Sequence, residues 1–246
     1  MSANKLYGKK FYDKQGPSSA ASAKLVVPHI VELFQPKSAI DIGCGIGTWC
    51  AALAQAGVAD VYGLDGPWVE AERFALGPQR FIPFDFDTAA KPYAPPLPKA
   101  RFDLLVSFEF LEHVDPSHAA DIVTFMAATA DIIVAGAAPP GQGGKNHVNE
   151  QWPSYWARQF AAQGFVAYDA LRPLIWNLEG VEPWYLQNPI CYFKGSVPPH
   201  VAARAEKAAA DLLRAPQALV HPELLRRKSS ALKRRKRGVF KRLFGG

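Results

Sequence analysis

The stretch Asp41-Ile-Gly-Cys-Gly-Ile-Gly47 decides how the rest of the chain is interpreted. It ends a short apolar run, residues 38–42, that is predicted to be a buried strand, and a helix is predicted directly after it. Glycines between a strand and a helix allow backbone N–H groups to approach a ligand closely. A dinucleotide-binding loop needs a third glycine where this chain has Thr48, and the Asp41 carboxylate would repel a pyrophosphate. The loop therefore favours a ligand that carries an ammonium and a sulfonium.

Short apolar runs alternate with helical patterns on both sides of this loop. Strands are predicted at residues 38–42, 61–64, 81–84, 102–106, 131–134, 165–168 and 190–193. Helices are predicted near residues 22–34, 48–56, 68–75, 118–130, 151–163 and 201–213. This alternation predicts a parallel sheet covered on both faces. Asp65 ends the second strand, where a carboxylate can accept two hydrogen bonds from ribose hydroxyls.

Asp41-Ile-Gly-Cys-Gly-Ile-Gly-Thr-Trp49, with Asp65 and the strand order, resembles the first motif of the class I S-adenosylmethionine-dependent methyltransferases. The resemblance covers roughly residues 20–195. It implies an α/β, Rossmann-like, seven-stranded, mostly parallel sheet with an antiparallel last strand and helices on both faces. It also implies S-adenosylmethionine as the cofactor and methyl transfer by in-line displacement. The cofactor-binding residues that it implies are Asp41, Gly43, Gly45, Gly47, Asp65, Asp85, Phe86, Ser107 and Glu109. The doubled Asp85-Phe-Asp87 leaves open which acid meets the adenine amino group.

A narrower resemblance concerns Pro140-Gly-Gln-Gly-Gly144 and the stretch from His147 to Trp156, His-Val-Asn-Glu-Gln-Trp-Pro-Ser-Tyr-Trp. Both are similar to a bacterial methyltransferase group associated with the tailoring of surface glycans and small molecules. The resemblance implies an acceptor of one of those two kinds.

Two histidines follow strands whose carboxyl ends should face the cofactor, which is where a general base belongs. We predict His147 as the base that deprotonates an acceptor hydroxyl, with His113 as the alternate and Glu112 as a group that could orient an imidazole. A purely structural hydrogen bond is the alternative interpretation of each.

Substrate contacts are predicted for aromatic and polar side chains near the same edge: Tyr12, Asn149, Glu150, Trp152 and Trp184. Trp152 shares a helix face with Tyr155 and Trp156, so core packing is its alternative role. Trp184 lies in a stretch predicted to be irregular, where it could stack on a sugar or an aromatic acceptor.

Several other classes of function are disfavoured by what the chain lacks. The place after the fourth strand reads Ser107-Phe-Glu-Phe110 instead of the Asn/Asp-Pro-Pro-aromatic motif of base-amino methyltransferases, and no cysteine follows a proline. A nucleic-acid target is therefore less expected, although RNA ribose methylation and an inactive cofactor-binding scaffold stay open. Cys44, Cys50 and Cys191 form no C-x-x-C pair, and no His, Asp and Glu cluster has ligand spacing, so neither a disulfide framework nor a metal site is predicted.

The net charge of +6 is unevenly distributed over the 246 residues. Ten of the 28 Lys and Arg lie in residues 226–242, and the body before them carries 18 basic and 22 acidic residues. We predict an N-terminal lid segment (1–21), a methyltransferase domain (22–198), a helix with a linker (199–222) and a basic amphipathic tail (223–246). No apolar run reaches ~18 residues, and the first ten residues lack the apolar core of a secretory signal. The predicted location is the cytoplasm. The tail could be solvated, bind RNA, or bind an anionic membrane surface at the inner face, which we prefer among the functional readings because of its apolar residues.

Overall fold

The central sheet has seven strands in the order β3-β2-β1-β4-β5-β7-β6. The chain is represented by a computed structural model, which describes residues 8–212 and 214. The strands are β1 (Ser38–Ile42), β2 (Asp60–Asp65), β3 (Phe81–Pro83), β4 (Leu104–Phe108), β5 (Ile132–Gly136), β6 (Phe165–Tyr168) and β7 (Pro189–Lys194). β1 to β5 run parallel, and β7 is antiparallel to both β5 and β6. The predicted α/β architecture with an antiparallel last strand is confirmed.

Helices cover both faces of this sheet. They are α1 (Lys9–Phe34), α2 (Thr48–Gln55), α3 (Ala119–Thr129), α4 (Pro153–Ala161), α5 (Arg172–Ile175), α6 (Pro183–Gln187) and α7 (Pro199–Leu212). Single turns of 3₁₀ helix occur at Ala71–Arg73, Pro78–Arg80, Leu111–His113 and Pro116–His118.

Two apolar cores lie on opposite faces, because successive side chains of a strand point to opposite sides. In β4, Leu104 and Val106 pack with helices α1, α2 and α5 to α7, whereas Leu105 packs with α3 and α4. All three side chains are completely buried. A strand that is covered on both faces therefore reads as a continuous apolar run in the sequence.

The order in which successive strands are added to the sheet reverses between β1 and β4. β2 and β3 lie on one side of β1, and β4 and β5 lie on the other, with Asp41 of β1 aligned with Gly63 of β2 and Val106 of β4. The loops that leave β1 and β4 diverge at this point and open a crevice at the carboxyl ends of the strands. This crevice is where the fold positions a ligand.

Three local predictions need correction. The predicted helix at residues 68–75 is wrong: only the turn Ala71–Arg73 is helical, and Phe74 leaves it to pack against Gly47 and Gly63. The first helix begins at Lys9, not near residue 22, and so crosses the boundary proposed between the lid segment and the domain. Its added turns contain Phe11 and Tyr12, which pack on the core. β4 begins at Leu104, two residues later than predicted.

The aromatic stretch before β7 is more regular than expected, since α6 contains Trp184 and Tyr185. The proposed tail at residues 223–246 lies outside the described residues. Among those that are described, none of the helices combines the length and the apolar character needed to cross a membrane.

Candidate functional site

A cavity of about 1280 Å³ opens at the carboxyl ends of β1, β2 and β4. The glycine loop after β1 forms its floor, and the first turns of α1, with Phe11 and Tyr12, form part of its wall. The loop after β5, from Gln142 to His147, closes the side next to β4. The crevice at the carboxyl ends of the strands is therefore a pocket lined by residues from seven separate segments of the chain.

The glycine loop leaves no room for side chains. Gly43 has a φ of 78°, and a Cβ there would lie 2.6 Å from Phe110. Gly45 has a φ of 53°, and a Cβ would lie 2.9 Å from the ring of Tyr12. Both positions combine a left-handed backbone with close contact, so they require glycine. The result is a backbone surface against which a ligand can lie.

Asp65 at the end of β2 is tied to this loop. Its Oδ2 accepts a hydrogen bond from the Gly45 N–H at 2.7 Å, and its Oδ1 accepts one from the Gly66 N–H at 2.6 Å. Burial raises the pKa of Asp65 to about 6, although these two donors and the side chain of Trp68 oppose the shift. A carboxylate oxygen can accept more than one hydrogen bond. Asp65 borders the cavity and therefore offers a carboxylate acceptor to hydroxyl groups there.

Two acids and two phenylalanines follow β3 at the far end of the cavity: Phe84, Asp85, Phe86 and Asp87. Asp85 Oδ1 accepts a hydrogen bond from the Asp87 N–H at 3.0 Å, which folds this segment into a tight turn. Burial, followed by the charge of Asp85, raises the pKa of Asp87. Because both carboxylates border the cavity, the structure does not choose between them as the acid at an adenine.

The loop after β5 is organised by one carboxylate. Glu150 accepts hydrogen bonds from the Gly141 N–H at 2.8 Å and the Gly143 N–H at 2.7 Å, and its Oε1 lies 3.1 Å from Nδ1 of His147. Burial alone would raise the pKa of Glu150, but these donors hold it below its usual value. The ionised Glu150 therefore accepts the Nδ1 proton of His147, which leaves the His147 lone pair on Nε2.

His113 stands beside His147, with 4.9 Å between the two ring centroids. Its Nδ1 lies 3.1 Å from the carbonyl oxygen of Asn146, and since a carbonyl only accepts, Nδ1 carries the proton. Burial lowers the pKa of His113 to about 4, with the Asn146 carbonyl opposing the shift and His147 adding to it. His113 is therefore neutral at physiological pH, with its lone pair on Nε2.

Two glutamates lie near the histidines. Glu109, in an unusual left-handed conformation with φ of 55°, accepts hydrogen bonds from Asn188 at 2.7 Å and Gln142 at 2.6 Å. Glu112 is completely buried, and neither of its carboxylate oxygens makes a hydrogen bond of ordinary geometry within the described residues. Burial, then the charge of Glu109, raises the pKa of Glu112 well above its usual value. One ligand-type atom from each of Glu112, His113 and His147 lies within 4.8 Å of the other two.

Comparison with known proteins identifies the family of this chain. Residues 15–141 match the family model described as a methyltransferase domain, which is more than half of the chain. The chain belongs to the methyltransferase domain family. It is a class I methyltransferase whose cofactor is S-adenosylmethionine.

Solved structures of methyltransferases share this fold. The magnesium protoporphyrin IX methyltransferase ChlM from Synechocystis PCC 6803, with bound S-adenosylhomocysteine, has a TM-score of 0.56 at 16% identity, covering 78% of this chain and 97% of ChlM. The sugar N-methyltransferase KedS8 from Streptoalloteichus sp. ATCC 53650 has a TM-score of 0.54 at 15% identity, with 76% and 92% covered.

An O-methyltransferase candidate from Nostoc punctiforme PCC 73102 has a TM-score of 0.55 at 16% identity, covering 75% of this chain. This chain spans only 59% of the length of that protein. The search of curated proteins found no match. At these identities the structural likeness establishes the fold, and the acceptor has to be argued from the site.

The cavity of this methyltransferase fits its cofactor. Asp65 offers a carboxylate to the ribose hydroxyls, the glycine loop offers a close backbone surface, and Phe84 to Asp87 offer aromatic and acidic groups for an adenine. Bound there, S-adenosylmethionine supplies a methyl group on a sulfonium, which is a good leaving group.

The structure separates the predicted site residues into two groups. Those that line the cavity are Tyr12, Gly43, Gly45, Asp65, Asp85, Phe86, Glu109, His113, His147 and Trp184. Those that lie outside the cavity lining are Asp41, Gly47, Ser107, Glu112, Asn149, Glu150 and Trp152. Direct contact between the second group and a ligand stays a prediction.

The residues of the second group lie behind the cavity lining. Three of them, Asp41, Ser107 and Gly47, are on the side of the cofactor. Asp41 is buried within β1, where burial and the charge of Asp65 raise its pKa to about 8. The Ser107 hydroxyl donates to the carbonyl of Ile42 at 2.8 Å and ties β4 to β1. Gly47 directly precedes α2, with its Cα close to the ring of Phe74.

On the acceptor side, Asn149 is buried, donates its N–H to the Glu112 carbonyl at 2.9 Å and accepts from Gln151 through its side chain. Trp152 directly precedes α4, without a side-chain hydrogen bond to the helix. Sequence reasoning missed Gln142 and Asn188, the donors that hold Glu109. Gln142 lies in the glycine-rich stretch that carried the narrower resemblance, whereas no pattern distinguishes Asn188.

Proposed function

We propose that this methyltransferase transfers the methyl group of S-adenosylmethionine to a hydroxyl of a small-molecule or glycan acceptor. The observation that carries the proposal is the continuity of one cavity from the glycine loop and Asp65 to the imidazoles of His113 and His147. A hydroxyl needs to lose its proton during transfer, and a positioned imidazole can accept it. An acceptor held between the glycine loop and the imidazoles would be close to both the methyl group and the base.

His147 is the better placed of the two imidazoles to accept a proton. The Glu150 carboxylate at its Nδ1 would stabilise the imidazolium that forms when Nε2 is protonated. At Nδ1 of His113 the acceptor is the neutral Asn146 carbonyl and not a carboxylate, and burial opposes protonation of this ring. We therefore assign the base to His147 and keep His113 as the alternate.

Aromatic side chains in the cavity lining suit a sugar or an aromatic acceptor. Trp184 and Tyr185 of α6 line the cavity together with Phe11 and Tyr12 of α1. Flat apolar rings of this kind bind sugar faces and other rings by stacking. The sugar acceptor of KedS8 and the porphyrin acceptor of ChlM, both small molecules, support the same class of acceptor here.

The test is incubation of the full chain with methyl-labelled S-adenosylmethionine and a fractionated cell extract. Label in glycan or small-molecule fractions, stable to conditions that cleave methyl esters, supports the proposal. The Asp65→Ala variant, with its impaired cofactor site, gives the background. Label that enters RNA would favour ribose methylation, and cofactor binding without turnover on any fraction would favour a scaffold.

A further inference from the structure

Glu112 and His113, which are adjacent in the chain, form a cluster with His147, which lies 34 residues after His113. The 3₁₀ turn Leu111–His113 after β4 supplies the first two, and the loop after β5 supplies the third. Backbone hydrogen bonds from Val148 and Asn149 to the Glu112 carbonyl, at 3.0 and 2.9 Å, fix these two segments to each other. The cluster is therefore held by the backbone on both sides, independently of its own side chains.

Glu112 presents an unexplained buried carboxylate within this cluster. It is completely buried, its oxygens lack a hydrogen bond of ordinary geometry within the described residues, and one lies within 4.8 Å of ligand-type nitrogens of both histidines. A buried polar group without a partner costs about 1–3 kcal/mol. A positive ion between the carboxylate and the imidazoles would remove this cost.

The hydrogen bonds at Nδ1 of the two histidines are of the kind that metal-binding histidines make. A metal-bound imidazole almost always donates its other N–H to a carboxylate or a backbone carbonyl, which fixes the ring and its tautomer. Nδ1 of His147 donates to Glu150, and Nδ1 of His113 donates to the Asn146 carbonyl. Both rings therefore carry their lone pair on Nε2, and the His147 side chain is only 10% exposed.

We propose that Glu112, His113 and His147 bind a divalent first-row transition-metal ion at the acceptor side of the cavity. Two imidazoles and one carboxylate suit such ions, and Mg²⁺ is disfavoured because it prefers oxygen ligands and retains its water. Three protein ligands leave coordination positions open, as in catalytic sites. His113 and His147 border the cavity, so the open positions face an acceptor.

A role for the metal ion in the reaction rests on the proposed function, which is methyl transfer to a hydroxyl. An acceptor hydroxyl bound to the ion would lose its proton to solvent water, because a bound cation lowers the pKa of the oxygen. The resulting oxyanion forms the new O–C bond, while the C–S bond breaks and its electron pair stays on sulfur. In this form the imidazole nitrogens are ligands, so metal binding and the base role of His147 are alternatives for the same nitrogen.

The experiment measures metal binding and cofactor binding separately. The full chain is freed of metal with a chelator and dialysed against Mn²⁺, Zn²⁺ or Mg²⁺, and the bound metal is quantified. Co²⁺ provides an optical probe, because imidazole coordination changes its visible absorption. The variants are Glu112→Gln, His147→Ala and Glu150→Gln, with His200→Ala as the matched control. His200 lies on α7 outside the cluster, with Nε2 3.3 Å from the Leu33 carbonyl.

We expect one tightly bound transition-metal ion in the native chain and in His200→Ala, with much weaker binding of Mg²⁺. Glu150→Gln, which removes a positioning contact, should weaken affinity about 10–100-fold, and loss of either ligand should weaken it at least as much. Equal retention of metal by the native chain and His147→Ala would overturn the proposal, as would the absence of stoichiometric binding. Because Glu112 is completely buried, whereas His147 lies in a loop that borders the cavity, His147→Ala decides the question even if Glu112→Gln does not fold.

Calorimetry with S-adenosylmethionine on the same samples separates the two proposals. A variant that loses the metal but keeps its affinity for S-adenosylmethionine would show that the substitution affects the metal cluster and not the cofactor site. Methyl transfer that is as fast in the metal-free chain as in the loaded chain would refute the metal's role in the reaction while leaving the proposed function intact.

Discussion

The loops after β1 and β5 border the same cavity, but they are constructed differently. The loop after β1 takes its shape from backbone geometry, with left-handed glycines at Gly43 and Gly45 and hydrogen bonds to the Asp65 carboxylate. The loop after β5 takes its shape from side chains: Glu150 holds two of its N–H groups and one imidazole. The first loop can therefore hold a ligand common to a family, whereas the second can change its chemistry with a few substitutions.

The largest expected effect comes from removing the imidazole that the second loop presents. His147→Ala should reduce turnover by about 10²–10⁴-fold, the usual contribution of a positioned base. S-adenosylmethionine affinity should stay nearly unchanged, because the cofactor contacts lie on the other loop. Steady-state kinetics with calorimetry checks both. A parallel loss of cofactor affinity would show that the two loops do not act separately.

A smaller effect should follow from displacing the same ring without removing it. A Cβ added at Gly144 would lie 2.1 Å from Nε2 of His147, so the imidazole has to move. A misplacement of about 1 Å can cost about 10²-fold in rate, so Gly144→Ala should reduce turnover by that order. Thermal unfolding provides the control for general damage. Turnover at the native level would mean that the ring position is not critical.

On the cofactor side, Asp65→Ala should weaken S-adenosylmethionine binding by about 1.5–3 kcal/mol, the contribution of hydrogen bonds to a charged group. The matched control is Asp60→Ala at the opposite end of β2, where Asp60 pairs with Arg80 and Lys99 away from the cavity. That variant should bind the cofactor normally. Calorimetry that finds equal losses in both would remove Asp65 from the ribose contact.

The pH dependence of cofactor affinity should report the same carboxylate. Since burial raises the pKa of Asp65 to about 6, the group is protonated at lower pH and can accept fewer hydrogen bonds. Affinity should be constant above this pKa and fall by up to about tenfold per pH unit below it, because a proton has to leave when the cofactor binds. Asp65→Asn should show no such change. An identical profile for that variant would assign the titration to another group.

The difference between the two loops also explains what the sequence could predict. The order of strands and helices along the chain, the glycine loop and Asp65 are local patterns, and the sequence alone predicts all three. The cluster of Glu112, His113 and His147 forms only when two segments meet, so spacing along the chain gave no sign of it. Residues 68–75 failed as a helix because Phe74 packs into the space left by Gly47 and Gly63, a tertiary contact that local propensity does not contain.

The smallest expected effect concerns α1, which covers the glycine loop. The Tyr12 ring closes on Gly45 and packs edge-on against Phe11, whereas the neighbouring Asp13 pairs with Arg73 at the surface. Tyr12→Ala should weaken cofactor binding by about 0.5–1.5 kcal/mol, because an aromatic contact over the loop is lost. Asp13→Ala removes an ion pair whose side chains are 26% and 50% exposed, and such pairs contribute about 0–1 kcal/mol. It should therefore change cofactor affinity less than Tyr12→Ala, as measured by calorimetry on both variants. The reverse order would mean that the ion pair, and not the aromatic contact, holds α1 over the loop.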